Sequence, residues 1–377
     1  MPVKSLRLRG WLTRWLPPLC AFVVTKLFIL GVATSGGVHL VDERLWQQGD
    51  QGHYLTIARD GYHLIECHKI GYVPDGWCGN AGWFPGYPAL IRGLGALGVR
   101  TEVGGLVLAG LFQFLTLAIL WIGFLGGHPS RRNILLLALA AFFPGQIFLQ
   151  SIFPVSMFTC FALLCLLCIE RQRFVLAGVA GAVAAYSYST GFVLAPIAGL
   201  LVLLHHPAPS WLGTIRRLAA TAGLTALGFG AVLLTHALMI GKWNAFFMVQ
   251  AKYGHGVHEP LATLLGAIKG LLGAAPSFPA FQTLLIAGLV IGLVIAWPNT
   301  GEHQRARHVG LLVYGLAFWL FPLVMGSGVS LYRAEALLLP LVPAMARINM
   351  PLQLSLLAVF ILLSGQMTLL FFANRLL

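Results

Sequence analysis

The residues best suited to chemistry in this chain are gathered in one short stretch, QGDQGHYLTIARDGYH, at residues 48–63. It holds two aspartates, two histidines and an arginine within sixteen residues. Carboxylates and imidazoles are among the side chains that transfer protons in enzymes. The rest of the chain is strongly apolar, since 58% of its 377 residues are hydrophobic and only 9% are charged. The polar stretch is therefore the first candidate for a functional site.

The same stretch predicts an amphipathic helix. At spacings of three and four residues, one face of the helix carries Tyr54, Ile57, Ala58 and Tyr62. Arg59 and Asp60 lie outside this face. A helix of this kind lies along a membrane surface, where it would hold Asp50 at the level of the lipid headgroups. A simpler role for Asp50 is to cap this helix. Asp60 is expected only to face solvent.

The composition predicts an all-α polytopic membrane protein that forms one membrane domain over residues 1–377. The mean hydropathy is +0.84, and apolar stretches of about 20 residues, the length that crosses a bilayer core, recur along the chain. A net charge of +13 could point to nucleic acid, but basic loops in an apolar chain fit the positive-inside rule better. We expect membrane lipids, and no nucleic acid, as partners.

The hydropathy predicts about eleven transmembrane helices, the first of them uncleaved and preceded by a cytoplasmic N-terminus. Their approximate ranges are 16–38, 103–125, 133–151, 152–169, 174–190, 192–206, 217–240, 281–297, 308–326, 335–347 and 351–373.

The charged loops test this threading. We place residues 84–98 as an interfacial or re-entrant helix that does not cross the membrane. Thirteen basic residues then lie on the same side of the membrane as the N-terminus, together with only two acidic residues, Glu170 and Glu302. They are Lys4, Arg7, Arg9, Arg14, Arg131, Arg132, Arg171, Arg173, Arg216, Arg217, Arg305, Arg307 and Arg347. The excess predicts that this side is cytoplasmic.

Two larger loops then lie on the outer side, at residues 39–102 and 241–280. The first contains seven of the eleven acidic residues, namely Asp42, Glu43, Asp50, Asp60, Glu66, Asp75 and Glu102. The second contains HGVHE, with His255, His258 and Glu259. We interpret HGVHE as a solvated loop rather than a metal site, because the pattern is short. No cofactor is indicated, and dependence on a divalent metal stays open.

The six cysteines divide by location. Cys67 and Cys78 lie in the first outer loop, where an oxidising compartment would favour a disulfide between them. A pair of metal ligands is the weaker alternative, because two further ligands are missing. The remaining cysteines lie within predicted helices, as small buried residues. The cysteine pair favours a bacterial inner membrane with a periplasmic active face.

Three segments of the chain resemble the PIG-V-like glycosyltransferases of the GT-C superfamily. GDQGHYLTIARDGYH and AGWFPGYPALIRGLGALG are similar to the two motifs of that family's first loop, and SLYRAEALLLPLVPAMAR is similar to a late S-x-x-R-Y segment. Asp50 takes the position of the motif aspartate and Arg333 that of the late arginine. The resemblance implies transfer of a sugar, mannose by preference, from a polyprenyl-phosphate carrier to a lipid, glycan or protein acceptor on the outer face.

The resemblance also implies roles for individual residues. Asp50 would act as the base in a single displacement that inverts the sugar carbon. Arg333 would bind the donor phosphate, although an interfacial arginine at a helix end is nearly as good an interpretation. Lys26 lies in the middle of the first predicted span, where a lysine is costly enough to indicate a functional or paired role. It would bind the phosphate of the lipid substrate, or it would only pair with the C-terminal end of a helix.

Other residues of the two loop motifs are expected to contact the substrate, namely His53, Tyr54 and Tyr87. His53 could instead be an ordinary surface residue.

The chain departs from the family pattern at three positions. Gly49 replaces a tryptophan, Val155 stands where a glutamate is expected, and Tyr188 stands where an arginine is usual. The departures at Val155 and Tyr188 leave a third hypothesis open, a noncatalytic membrane subunit of the same fold. A multi-span transporter or flippase is the alternative from another class, although neither mid-membrane charges beyond Lys26 nor repeat symmetry support it.

Overall fold

The structure is a computed structural model that describes residues 2–39, 48–71, 76–253, 256–273, 277–296, 302–326 and 330–376. Asp42, Glu43, Trp46, Asp75 and His255 lie outside these ranges. The helices are α1 (Pro2–Ser35), α2 (Gln51–Asp60), α3 (Gly86–Ala96), α4 (Thr101–Ile119), α5 (Arg131–Ala141), α6 (Gln146–Gln150), α7 (Val155–Glu170), α8 (Phe174–Ser187), α9 (Leu194–His205), α10 (Trp211–Leu218), α11 (Leu224–Ile240), α12 (Ala245–Ala251), α13 (Pro260–Leu272), α14 (Phe278–Ile295), α15 (Glu302–Met325), α16 (Leu331–Ala334) and α17 (Met350–Phe372).

Short 3₁₀ or π segments extend several of these helices, and a long 3₁₀ helix follows α16; their ranges are Cys67–Ile70, Leu120–Phe124, Gly191–Val193, Ala219–Gly223 and Glu335–Arg347. Two strands, β1 (Leu64–Glu66) and β2 (Trp77–Gly79), pair antiparallel. Within the described residues of the first outer loop, this hairpin is regular structure that the prediction of an all-α chain missed.

The fold is that of an all-α polytopic membrane protein. Within the described ranges, six helices are long and apolar enough to cross a membrane: Thr13–Ser35, Thr101–Phe124, Trp211–Ile240, Phe278–Ile295, Arg305–Met325 and Met350–Phe372. Four shorter apolar helices accompany them: Val155–Glu170, Phe174–Ser187, Gly191–His205 and Pro260–Leu272. These segments include most of the ranges expected from hydropathy, while the count of eleven crossings stays a prediction.

Contacts between distant residues define two ends of the helical bundle. At one end Arg307 binds Glu170 and the carbonyl of Phe124, and Arg217 binds the carbonyl of His206. At the other end Asp50 binds Arg333. Helix α7 runs through the middle between α4 and α8, with 13 of its 16 residues buried. A helix that is apolar on all sides is suited to this central position.

The predicted span at 133–151 is wrong as one continuous helix. The chain forms α5, turns at Phe142–Gly145, and resumes as the short α6. Pro144 cannot continue the hydrogen bonds of a helix, and Gly145 has a φ of +84°, a left-handed value that favours glycine. The turn places α6 at the end of the bundle that holds Arg333.

The predicted span at 335–347 is also not an α-helix. It is a 3₁₀ helix, Glu335–Arg347, and ten of its thirteen residues are buried. Pro340 and Pro343 lie inside it. Each proline lacks an N–H and crowds the preceding turn, so a regular α-helix is disfavoured.

The predicted second outer loop, 241–280, contains more regular structure than expected. Helices α12 and α13 both lie within it, and no residue of α13 is buried. Helix α13 is apolar, and the N–H of His258, just before it, donates to the carbonyl of Val324 at 2.7 Å. This contact places the start of α13 beside the last turn of α15.

Candidate active site around Asp50 and Arg333

The centre of the candidate site is an ion pair between two residues that lie 283 positions apart in the sequence. A guanidinium nitrogen of Arg333 donates to a carboxylate oxygen of Asp50. Their side chains are 22% and 27% exposed, so the pair is largely buried but can still be reached from solvent. Asp50 occupies the N-cap position of α2, yet its side chain makes no capping hydrogen bond. The capping interpretation is therefore wrong, because Arg333 holds the carboxylate instead.

Aromatic rings surround the pair. The Arg333 guanidinium carbon lies 5.5 Å from the centre of the Phe153 ring, a distance at which a cation is attracted to the ring face. Tyr54 packs edge-on against Phe153 with ring centres 6.0 Å apart. The buried Tyr188 side chain lies close enough to Arg333 to interact with its charge. These apolar walls exclude water from most of the pair, which strengthens its electrostatic attraction.

A histidine stacks on a tryptophan at the other side of Asp50. The rings of His53 and Trp83 are 3.6 Å apart and nearly parallel, with an angle of 18° between them. Trp83 also lies close enough to Asp50 to lower the pKa of its carboxyl. Trp83 is fixed in turn, because the hydroxyl of Tyr62 donates to its carbonyl at 2.8 Å. Trp83 is buried and His53 is half-buried, so the stack lies at the edge of the core next to a carboxylate.

Burial raises the pKa of Asp50, but the Arg333 guanidinium and its hydrogen bond outweigh that effect, so the pKa lies below its ordinary value. Burial lowers the pKa of His53, and nearby Lys252 and His63 lower it further, whereas Asp50 acts in the opposite direction. The resting site therefore combines an ionised carboxylate with a neutral imidazole at neutral pH.

Asp50 is positioned by α2 and by the elements packed against it. At the end of α2, Arg92 of α3 donates to the carbonyls of Ala58 and Ile57 at 2.8 and 3.0 Å. Such bonds satisfy carbonyls that a helix end leaves unpaired. The buried Asn80 side chain then accepts from the N–H of His63 at 2.9 Å and donates to the carbonyl of Gly61 at 3.0 Å. Both contacts fix the chain that leaves the site.

The disulfide between Cys67 and Cys78 closes the β1–β2 hairpin beside this chain. Gly79, which follows Cys78, has a φ of +127°, and a Cβ there would lie 2.3 Å from the carbonyl oxygen of His63. Only glycine fits so close an approach. The hairpin thus connects directly to Asn80 and, three residues later, to Trp83.

Arg333 is positioned by α16 and its contacts with α6 and α14. Gln282 donates to the carbonyl of Tyr332 at 2.9 Å, and the Tyr332 ring stacks on Phe148 with centres 5.7 Å apart. A Cβ at Gly145 would lie 2.6 Å from the Cβ of Ala336. The glycine at the turn before α6 therefore lets the segment that carries Arg333 pack closely.

Two lysines from the second outer loop border the hairpin. The ammonium of Lys252 lies 3.8 Å from Cys78 Sγ, and the ammonium of Lys242 lies 4.5 Å from the centre of the Trp77 ring. Burial lowers the pKa of Lys252. Its charge acts on His53, so the second outer loop contributes a cation to the surroundings of the site.

Two predicted substrate contacts have other surroundings. Tyr87 is completely buried, and its hydroxyl donates to the carbonyl of Gly105 at 2.5 Å. It packs edge-on against Tyr54, so it supports the site from behind and has no surface for a substrate. Lys26 donates to the carbonyl of Gln150 at 3.3 Å, which matches the interpretation that it pairs with a helix end.

The structure brings Trp83, Phe153 and Tyr188 to the pair, although none of them was predicted to be a site residue. Trp83 lies within the second loop motif, directly before Phe84, and this was an available signal. Tyr188 was noted only as a departure from an expected arginine, and the structure places it against Arg333. For Phe153 the sequence offers no comparable signal. Among the described residues, no three histidine, cysteine or acidic side chains lie together in a group that could hold a metal ion.

No family model and no curated protein matches the chain.

Proposed function

We propose that this protein is a GT-C glycosyltransferase of the PIG-V-like type that transfers a sugar, mannose by preference, from a polyprenyl phosphate. The observation that carries the proposal is the ion pair between Asp50 and Arg333. Separate sequence motifs suggested a base and a phosphate ligand for these two residues, and the roles require that they lie together. The acceptor is a lipid, glycan or protein, and the reaction takes place on the periplasmic face of a bacterial inner membrane.

In the proposed reaction, the acceptor hydroxyl attacks the sugar carbon that is bonded to the phosphate. A new carbon–oxygen bond forms on one face of the sugar as the bond to phosphate breaks on the other, so the configuration inverts. The phosphate leaves with the bonding electrons, and Asp50 takes the hydroxyl proton. Arg333 stabilises the charge on the leaving phosphate, for which a guanidinium fork is well suited.

The resting ion pair determines the order of these events. A carboxylate paired with arginine is a weak base, and a guanidinium paired with a carboxylate is only partly available to phosphate. The donor phosphate must therefore compete with Asp50 for Arg333. Once the phosphate shares the guanidinium, Asp50 loses part of the attraction that lowers its pKa and becomes a better base. The base is thus activated by the donor.

The aromatic groups have a place in the same proposal. Sugars present flat C–H faces, and the half-buried ring of His53, which Trp83 supports from behind, offers a flat surface beside the base. Tyr188 lies beside Arg333, so its hydroxyl can orient the guanidinium at a position where relatives have an arginine. The departure at residue 188 is therefore compatible with catalysis.

The test is transfer of radiolabel from mannosyl polyprenyl phosphate in detergent, with purified wild-type protein and two matched variants. Asp50→Asn should lower the rate by about 10²–10⁴, the usual contribution of a general base. Asp60→Asn is the control, because Asp60 is exposed at the end of the same helix, and it should leave the rate unchanged. Full activity of Asp50→Asn, or equal losses in both variants, would contradict the role of Asp50.

A transporter or flippase is the second candidate, and one observation favours it. Glu335 is 2% exposed and accepts from the Gln282 amide at 2.7 Å, so it adds a buried ionisable residue to Lys26. Ionisable residues buried in membrane proteins often mark transport pathways. Proteoliposomes separate the two functions, since a flippase moves the labelled carrier across the bilayer without forming a glycosylated product. The noncatalytic subunit predicts neither result.

A further inference from the structure

Three arginines line a cleft at the end of the bundle opposite to the ion pair. Arg173, Arg216 and Arg217 face a space of about 400 Å³ between the start of α8 and helix α10. Helix α8 has 14 residues, so it separates this cleft from Tyr188 by roughly 21 Å at 1.5 Å per residue. The cleft is therefore distinct from the site around Asp50 and does not depend on the function proposed for it.

The positive charge of this cleft is not neutralised by the protein. Within the part of the chain that the structure describes, no carboxylate forms an ion pair with Arg173 or Arg216, and both arginines are exposed. Glu170, at the end of α7, is held by Arg307, whose Nε lies 3.0 Å from each carboxylate oxygen. The cleft thus presents a cationic surface that an external anion can occupy.

The third arginine is fixed in place as part of the wall. Arg217 donates to the carbonyl of His206 at 2.9 Å, and its guanidinium carbon lies 5.0 Å from the centre of the Phe174 ring. These contacts restrict the side chain before any ligand arrives, which lowers the entropy cost of binding. Free N–H groups of Arg217 remain available, since a guanidinium has five donors.

Apolar groups continue the cleft along the outer surface of the bundle. Val175 and Leu176 line it and are 59% and 53% exposed. Val179, one turn further along α8, is 50% exposed. A surface of this kind on a membrane-spanning bundle faces lipid chains. The cationic and apolar parts are therefore arranged like the headgroup and the acyl chains of a lipid.

Helix α10 has the character of a helix that lies in a membrane interface. Trp211, Leu212 and Ile215 are exposed on one face. Arg216 lies at the edge of that face, one turn after Leu212, and Arg217 lies on the opposite side of the helix. Amphipathic helices with this distribution lie along the boundary between headgroups and acyl chains. The arginines of α10 are thus expected at the depth of lipid phosphates.

We infer that this cleft binds one anionic phospholipid, with its phosphate between Arg173, Arg216 and Arg217 and its acyl chains along Val175, Leu176 and Val179. Basic pockets between membrane helices bind anionic headgroups in this way. A zwitterionic lipid carries its own cation beside the phosphate, so its net attraction to the arginines is weaker. The occupant is therefore a lipid with net negative charge, bound in the leaflet opposite to the candidate active site.

The test is native mass spectrometry of the purified full-length protein in a neutral detergent. The protein is titrated with dioleoyl phosphatidylglycerol, with dioleoyl phosphatidylcholine and with inorganic phosphate. We expect one phosphatidylglycerol to remain bound at concentrations at which neither phosphatidylcholine nor phosphate does. The R173Q/R216Q variant should bind phosphatidylglycerol about 25-fold more weakly, at about five-fold for each arginine near a membrane surface. Arg217 is left intact because it also holds the His206 backbone.

The matched control is R131Q/R132Q, which removes the same charge from exposed arginines outside the cleft and should change the affinity less than two-fold. Thermal unfolding of both variants verifies that they are folded. Equal losses in the two variants would mean that the lipid responds only to total charge. Binding of inorganic phosphate as strong as that of phosphatidylglycerol, or equal binding of both lipids, would also overturn the inference.

Discussion

Replacing Asp50 with asparagine should make the protein bind polyprenyl phosphate more tightly while it loses sugar transfer. This expectation follows from competition, because the carboxylate of Asp50 occupies Arg333 at rest and the donor phosphate needs the same guanidinium. Asparagine keeps the shape of the side chain but is neutral, so it releases the guanidinium. Loss of a base and gain of affinity in one variant distinguish this mechanism from ordinary damage to a binding site.

The size of the gain follows from the exposure of the pair. Hydrogen bonds to charged groups contribute about 1.5–3 kcal/mol. The side chains of Arg333 and Asp50 are 22% and 27% exposed, and solvent screening reduces the contribution of exposed pairs. We therefore expect about 1–2 kcal/mol. Since 1.36 kcal/mol corresponds to a factor of ten, the affinity for polyprenyl phosphate should rise about 5- to 30-fold.

The assay is equilibrium binding of polyprenyl phosphate without the sugar, which isolates recognition of the phosphate from catalysis. Asp60→Asn should bind as the wild type does, whereas Arg333→Gln should bind more weakly. In the Arg333→Gln background the Asp50→Asn change should produce no gain, because there is no guanidinium to release. If Asp50→Asn alone leaves the affinity unchanged or weakens it, the idea of competition for Arg333 is refuted.

Three further outcomes are expected. The fall of kcat at acid pH should occur at higher pH than the fall of kcat/KM. In the free protein Arg333 lowers the pKa of Asp50, whereas in the donor complex Arg333 also binds phosphate and the pKa of Asp50 is higher. If both fall at the same pH, this expectation is wrong. Tyr188→Phe should raise the donor KM up to about five-fold, because it removes a hydroxyl beside Arg333, and a polar interaction of this kind contributes up to about 1 kcal/mol. Tyr186→Phe, which loses only a 3.2 Å contact with Thr235, should leave the donor KM unchanged. Gly145→Ala should lower the free energy of unfolding by at least about 1–2 kcal/mol, from its positive φ, and should reduce transfer. Gly230→Ala is the control, because no atom lies within 4 Å of the new Cβ, and it should leave thermal stability unchanged or raise it. Equal effects of the two substitutions on thermal unfolding would argue against close packing at Gly145.

Hydropathy and periodicity were sufficient for the elements with one dominant signal. The span predicted at 351–373 forms as Met350–Phe372, and the span predicted at 103–125 forms as Thr101–Phe124. The stretch that begins the first loop forms α2, with Tyr54, Ile57 and Ala58 buried and Arg59 and Asp60 exposed. In each case burial of an apolar stripe or length of an apolar run determines the structure without help from distant residues.

Other elements were missed because a strong apolar signal concealed a local one. Pro144 and Gly145 mark a turn by their backbone chemistry, yet they lie in an apolar run long enough to suggest one span. In the same way, Pro340 and Pro343 indicate a departure from α-helix within a run that hydropathy interprets as a crossing. The β1–β2 hairpin has strands of only three residues each, which is too short for an alternating pattern to be visible.

The site itself depends on long-range contacts that periodicity does not contain. Nothing in the spacing of the chain joins Asp50 to Arg333, and only the resemblance of two separate segments to one family suggested common chemistry. Tyr188 and Phe153 reach the pair through the packing of α7 and α8. The role of a residue that departs from a family pattern depends on its neighbours in the fold. The proximity of Tyr188 to Arg333 could not be inferred from the residue type at position 188.

The charges of the proposed reaction explain why an acid and an arginine should share one buried pocket. At rest the pair is neutral, which lowers the cost of burying either charge alone. The donor phosphate adds one negative charge. During transfer Asp50 becomes neutral as it accepts a proton, while the leaving phosphate gains a second negative charge. The total charge of the pocket therefore stays constant, and negative charge moves only from the carboxylate to the phosphate. Arg333 pairs with the carboxylate at rest and with the phosphate once the donor is bound, so it stabilises the negative charge at the start and at the end of this movement. A neutral residue at position 333 could do neither.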